Sequence, residues 1–284
     1  MTAHFPDRSV LQRFYDFGWE RRWLAGLDSE GIPGDVGYKL RLRVTLSLLR
    51  PPCTTFRVLD LGCGVGVYAT QIARRFPRAR IVGIDLSPTH VDAASSLAAR
   101  LGVTERVQFE VGDALDLKID APPDIVIAAE VVEHLPDPVP CLNRLATLVK
   151  PGGQVLISVP QLGPAEASGP WVYHRQPTGG NYDSIEHADP SRFGDAAEVY
   201  TYYHRHYHPD ELDALLQRCG LGIRRWRTCF WQRPPGRSGK VWRFLDYLNQ
   251  RAALPLFDQA LLSLDGPRYA QTLIRDCMPA RAKA

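Results

Sequence analysis

The chain has 284 residues, 45% hydrophobic and 23% charged, with a formal net charge of +3. That composition is ordinary for a soluble globular protein and fits one large α/β domain with additions. The charge is too mild to imply nucleic acid by itself, and no apolar stretch reaches the roughly 20 residues needed to cross a bilayer. The six cysteines, Cys53, Cys63, Cys141, Cys219, Cys229 and Cys277, form no CxxC pair, so neither a zinc site nor a redox motif is expected. Scattered cysteines fit a reducing compartment. The N-terminus has no basic-then-apolar signal pattern, and the chain reads as cytoplasmic.

Residues 1–52 read as an N-terminal helical cap, rich in aromatic and basic residues. Within it, "YKLRLRVTLSLLR" has apolar residues near helical spacing until Pro51-Pro52 breaks the pattern. Residues 53–284 read as the main domain. "FRVLDL" is a buried strand, "VYATQIARRF" a helix stopped at Pro77, and "RIVGID" a second strand. "PTHVDAASSLAARLG" is a helix with Pro88 in its first turn and Gly102 near its end. "VQFEVGD" and "PDIVIAAE" are the third and fourth strands, "VPCLNRLATLV" a helix, and "GQVLISVP" a fifth strand. This alternation predicts an α/β fold with a doubly wound, mostly parallel sheet.

Residues 160–206 carry no clear period and read as an insertion. "PDELDALLQRCG" restores a helix, and "GIRRWRTCF" can be a sixth strand. An amphipathic insertion at 239–265 reads as two short helices parted by Pro255. The tail "YAQTLIRDC" supplies a last strand closing a seven-stranded sheet.

The stretch "VLDLGCGVGVYATQIA" carries the chemistry. Gly62, Gly64 and Gly66 sit at the end of the first strand, where an open parallel sheet places its ligand crevice. Asp85 follows the first glycine by 23 residues and ends the second strand, where a carboxylate can accept from two adjacent ribose hydroxyls. A dinucleotide fingerprint wants glycine at the sixth position, which here is Val67, and avoids an anion beside the pyrophosphate. Here Asp60 directly precedes the turn. An acid there suits a cationic ligand without phosphate, and S-adenosylmethionine is one. Asp113 lies just after the third strand, within reach of an adenine amine. Glu130 ends the fourth, close to where the reacting methyl should lie.

"VLDLGCGVG", "IVGIDLSP", "VQFEVGDALDL", "PDIVIAAEVVEHLPDP" and "LVKPGGQVLISVP" together resemble the successive motifs of class I S-adenosylmethionine-dependent methyltransferases. The resemblance covers about residues 55–160 closely, and "HYHPDELDALLQRCGLGI" extends it. It implies a Rossmann-like sheet with helices on both faces. It also implies that Asp60, Gly62, Cys63, Gly64, Gly66, Asp85, Asp113 and Glu130 hold the cofactor, with Leu86 and Ala114 flanking its adenine. Cys63 lies inside the turn, as a small turn residue rather than a reactive thiol.

Methyl transfer from a sulfonium is an in-line displacement, so the protein mainly aligns the acceptor and removes its proton when needed. His134, Glu130 and His206 are the catalytic candidates; neutral imidazole titrates near physiological pH. Packing roles are the bland alternative for both histidines, and His208 can simply cap the helix after it. Glu130, Glu133 and His134 stand at i, i+3 and i+4. With His204, His206 or His208 they resemble the divalent-metal set of small-RNA 2′-O-methyltransferases. The chain also resembles ubiquinone O-methyltransferases around "EVVEHL". The short motif recurs in members without metal, and no metal is expected here. Trp171, Tyr173 and Tyr203 in the insertion, and Tyr15 in the cap, are candidates for an aromatic acceptor pocket. The expected acceptor is a small molecule methylated at oxygen, such as a secondary metabolite, a quinone-like phenol or a sugar-derived intermediate. Nucleic acid is the less favoured partner, and a cofactor-binding protein without activity the third reading. The 239–265 helices can serve core packing, a homodimer contact or a membrane surface.

Overall fold

A computed structural model describes residues 26–113, 115–117, 119, 121–135, 137–162, 171–175, 185–187, 201–231, 239–241, 244–245, 248, 258–262 and 270–280. Helix α1 (Val36–Leu48) begins at Asp35, whose carboxylate accepts from the Tyr38 amide at 2.6 Å. Strand β1 (Arg57–Leu61), helix α2 (Val67–Arg75), strand β2 (Arg80–Asp85) and helix α3 (Pro88–Arg100) follow. Ser87 caps α3 by accepting from the His90 amide, with Pro88 in the first turn. Strands β3 (Val107–Val111) and β4 (Ile125–Ala129), a single 3₁₀ turn (Val132–His134), helix α4 (Val139–Leu148) and strand β5 (Gln154–Pro160) complete the alternating half.

β1, β4 and β5 are buried along almost their whole length. Such strands must be covered on both faces, which explains why most of their residues are apolar. One core cluster joins α1, α2 and α3 to the sheet through Leu42, Val67, Ile72 and Leu97. The other joins α4 and helix α5 (Pro209–Arg218) to the opposite face through Leu142, Leu145, Leu212 and Leu216.

The main sheet has seven strands in the order β3-β2-β1-β4-β5-β10-β9, where β9 is Leu221–Trp231 and β10 is Ala270–Pro279. The first five are parallel. β10 runs antiparallel to both β5 and β9. The last strand therefore does not close the sheet, as its sequence suggested; it is slotted inside, and β9 is the outermost strand among the described residues. Burial explains the difference. Leu273, Ile274, Asp276 and Cys277 are fully buried, whereas Trp226 on β9 is 53% exposed.

A small second sheet replaces the expected irregular insertion. Strands β6 (Trp171–Arg175), β7 (Ile185–His187) and β8 (Thr201–Arg205) pair antiparallel in the order β7-β6-β8. Strands this short give too few alternations to stand out from sequence. In the 239–265 segment, residues 240–241, 244–245, 248 and 258–262 are helical. Leu261 and Leu262 are buried, while Val241 and Phe244 are exposed; Pro255 lies outside the described residues. Among the described residues no helix is long and apolar enough to cross a membrane.

Candidate active site

The strand order reverses at β1, which has β2 on one side and β4 on the other. A ligand crevice is expected at such a switch point, beyond the carboxyl ends of the strands. The turn after β1 and the loop after β4 meet there. A Cβ on Gly62 would lie 2.5 Å from Val131 Cγ2. A Cβ on Gly66 would lie 2.6 Å from Phe109 Cζ and 2.8 Å from Ala94 Cβ, so this glycine lets α2 pack onto α3 and β3. Gly64 differs. Its φ is +51°, yet nothing lies within 4 Å of a Cβ placed there. The first and third glycines thus serve packing, and the middle one faces open space.

Four carboxylates stand at the carboxyl ends of β1 to β4. Asp60 is 2% exposed, and its Oδ2 accepts from the Ala69 amide in the first turn of α2 at 3.1 Å. Burial, reinforced by the charge of Asp85 and opposed by the Ala69 N–H, pushes its carboxyl up to about 7. Asp85 accepts from Gly64 N at 2.8 Å on Oδ2, and from Ser87 N at 3.0 Å on Oδ1. His90 Nδ1 lies 3.2 Å from Oδ1. Asp113 accepts from Leu115 N at 2.9 Å. Val111 and Leu115 beside it are 53% and 45% exposed, an apolar surface at the mouth of β3, and Leu86 is half-buried. Ala114 lies outside the described residues. Cys63 is buried, and burial pushes its thiol well above the usual range, further raised by Asp60 and Asp85. That environment suits a small turn residue rather than a nucleophile.

Glu130 takes a left-handed backbone, φ +59°, which is uncommon for a residue with a side chain and concentrates at functional sites. Its amide donates to Ser158 O at 3.0 Å. Its Oε1 accepts from Ser158 Oγ at 2.9 Å and its Oε2 from Arg41 Nη1 at 3.2 Å. Arg41 comes from α1 and lies over the Tyr38 ring, 4.9 Å from its centroid. Burial works against its charge, but Glu130 outweighs this and holds it protonated. Tyr68 from α2 completes this wall, 6.1 Å from Tyr38 between ring centroids. Burial pushes its hydroxyl up to about 12.

The 3₁₀ turn after Glu130 carries Glu133 and His134. Glu133 is buried, and burial together with the charge of Glu130 raises its carboxyl well above the usual range. His134 Nε2 lies 3.6 Å from Glu133 Oε1. Among the described residues no group of three His, Cys, Asp or Glu side chains could hold a metal ion. The left-handed residue at Glu130 breaks the helical phase that the i, i+3, i+4 reading assumed, and turns Glu130 toward Ser158 and Arg41. Beyond β5, the Tyr207 amide donates to Pro160 O at 3.0 Å and Tyr207 O accepts from Leu162 N at 3.0 Å. This places half-buried His206 at the carboxyl end of β5. His208 takes the N-cap position of α5 without a side-chain capping bond. Tyr173 and Tyr203 are register partners on β6 and β8, and Trp171 pairs with Arg205. Tyr15 lies outside the described residues.

The crevice thus carries carboxylates, open glycine backbone and an apolar rim. Gly64's open surroundings and the acids at β1 to β4 fit a nucleoside joined to a cationic group. Residues 54–187 match a family model described as a methyltransferase domain. Over these residues the chain is similar to methyltransferase domains. The chain is 34% identical over 135 residues to trans-aconitate 2-methyltransferase of Methylobacterium radiotolerans, covering 44% of this chain and 50% of that protein. It is 37% identical over 102 residues to ubiquinone biosynthesis O-methyltransferase of Aeromonas salmonicida, covering 36% of this chain and 42% of the relative. The chain thus spans half or less of the length of these relatives. The fold is also that of geranyl diphosphate C-methyltransferase from Streptomyces coelicolor A3(2), with a TM-score of 0.63 at 15% identity over 98% of this chain and 99% of the other. The methyltransferase match begins at residue 54, so Arg41, Tyr38 and all of α1 lie outside it. Sequence reasoning missed Arg41 because it reads as one more basic residue on a cap helix; its position opposite Glu130 exists only in the fold.

Proposed function

We propose that the protein transfers a methyl group from S-adenosylmethionine to a small-molecule acceptor, at oxygen. The observation that carries this is the row of acids Asp60, Asp85, Asp113 and Glu130 across the switch point, beside a glycine turn whose middle residue faces open space. When bound, the cofactor supplies an electrophilic methyl on a sulfonium. Asp85 holds its ribose, Asp113 its adenine amine, and Leu86, Ala114 and Val111 the adenine faces. Asp60 offsets positive charge from beneath the glycine turn. Glu130 and Arg41 present opposite charges, a match for an amino-acid group carrying both an ammonium and a carboxylate.

His134 is the proposed base for the acceptor hydroxyl, with Glu133 beside it orienting the ring, and His206 borders the same space. Trp171, Tyr173, Tyr203 and Tyr15 are the proposed acceptor-binding residues. An oxygen acceptor is supported by relatives named as ubiquinone biosynthesis and tocopherol O-methyltransferases. A reducing compartment, the cytoplasm, agrees with six free cysteines.

The test is calorimetric titration with S-adenosylmethionine, S-adenosylhomocysteine and NAD, followed by methyl-transfer assays on phenols, dicarboxylic acids, amines and short RNA. Binding of the adenosyl ligands with turnover on a hydroxylated or carboxylic small molecule is expected. Binding of NAD alone, or turnover on RNA only, would overturn the reading.

A further inference from the structure

His90 stands on the first turn of α3, held there by Ser87, whose hydroxyl accepts from its amide at 3.2 Å. Its ring is buried and directed at Asp85, with Nδ1 3.2 Å from Oδ1. A carboxylate only accepts hydrogen bonds, so Nδ1 carries the proton in this contact. It offers about four acceptor positions in all. Two are taken by backbone amides, Gly64 N at 2.8 Å and Ser87 N at 3.0 Å, and these belong to the turn and the helix start that shape the site. His90 takes a third. A ribose diol brings two more donors, which makes five donors for about four positions. The backbone amides cannot leave without undoing the local fold, whereas a side chain can rotate away.

We propose that His90 is a displaceable competitor for the ribose-binding carboxylate: it occupies a position on Asp85 that the second ribose hydroxyl needs, and so sets how tightly the adenosyl ligand is held. This rests on the cofactor reading above. Binding breaks a charge-assisted hydrogen bond, and that cost lowers affinity for substrate cofactor and product alike. His90 therefore loosens the hold on the product as well, and it distinguishes a full diol from a ribose lacking one hydroxyl. A deoxyribose brings one donor, which the remaining position accommodates with His90 in place.

The experiment is calorimetry with S-adenosylhomocysteine and its 2′-deoxy and 3′-deoxy analogues. The unsubstituted protein is compared with His90→Met and His90→Leu, which remove the donor, and His90→Asn, which keeps an N–H donor. His90→Met and His90→Leu should bind S-adenosylhomocysteine about 3- to 10-fold tighter, the scale of one charge-assisted bond partly recovered. Both should leave the deoxy analogues nearly unchanged, and His90→Asn should resemble the unsubstituted protein. Melting temperatures identify any variant that fails to fold, and either donor-free variant alone completes the comparison. Equal or weaker S-adenosylhomocysteine binding in the donor-free variants, or equal tightening for all three ligands, would overturn the role of His90 while leaving the cofactor reading intact. Failure of the unsubstituted protein to bind S-adenosylhomocysteine would overturn both.

Discussion

Replacing Asp60 by Asn should flatten the pH dependence of cofactor binding. Asp60 is buried beneath the glycine turn, and its carboxyl titrates at about 7 because burial, and then the charge of Asp85, oppose ionisation. A sulfonium arriving nearby favours the ionised form. Affinity for S-adenosylmethionine should therefore rise with pH through about 7 and level off above it. At pH 6 about a tenth of the molecules carry an ionised Asp60, and at pH 8 about nine tenths, so the affinity change approaches ~10-fold. S-adenosylhomocysteine has no sulfonium and should show a smaller slope. Asparagine can still accept from the Ala69 amide but cannot ionise, so Asp60→Asn should hold both ligands at a pH-independent affinity. The assay is calorimetry at half-unit pH steps. Equal slopes for the two ligands, or an unchanged slope in Asp60→Asn, would refute the reasoning. Stability gives an independent sign. The folded state keeps this proton between the ordinary carboxyl value of 3.8 and about 7, whereas the unfolded chain loses it. Stability contributed by this group thus falls as pH rises across that window, and Asp60→Asn should remove the decline in Tm.

Gly66→Ala should lower stability by about 1–3 kcal/mol in chemical denaturation, because its Cβ meets Phe109 and Ala94 at a positive φ. Gly64→Ala meets nothing, so its stability loss should be nearer ~1 kcal/mol from the left-handed backbone alone, with a larger loss in cofactor affinity by calorimetry. Arg41→Gln leaves the carboxylate of Glu130 without its cation and should weaken S-adenosylhomocysteine by about 1–3 kcal/mol. His134→Ala should lower kcat by about 10²–10⁴-fold with little change in cofactor affinity, and should remove the acid limb of the pH–rate profile. An unchanged profile would remove His134 as the base.

The main sheet was legible because its strands carry two independent signals. β4 is a continuous apolar run, β1 and β5 are apolar at most of their positions, and Asp85 and Glu130 mark the carboxyl ends of β2 and β4. Punctuation was equally local: Pro77, Pro88 and Gly102 each act within one turn of their own position. The position of β10 was not legible, since an antiparallel strand slotted between two others has the same local pattern as one at an edge. Nor was the pairing of β6 with β8, whose register partners Tyr173 and Tyr203 stand 30 residues apart across an unpatterned stretch. In the site, the acids announced themselves by following strands. Arg41 and His90 did not, because a helix sequence shows which residues share a face and never what that face meets.

The placement of β10 also dictates an order of events during synthesis. Among the described residues β9 pairs in the main sheet with β10 alone, and the edge of β5 beyond β4 is filled by β10 as well. Neither edge can be satisfied until residues 270–279 have been made. The half that carries the glycine turn and its acids can collapse early from local βαβ units. It must then wait with one edge of β5, a mostly apolar strand, unpaired. Long-range pairing of this kind is slow to form and prone to capture by other chains. A growing polypeptide of this protein is therefore most vulnerable to aggregation before residues 270–279 emerge, while the half with the glycine turn is already shaped.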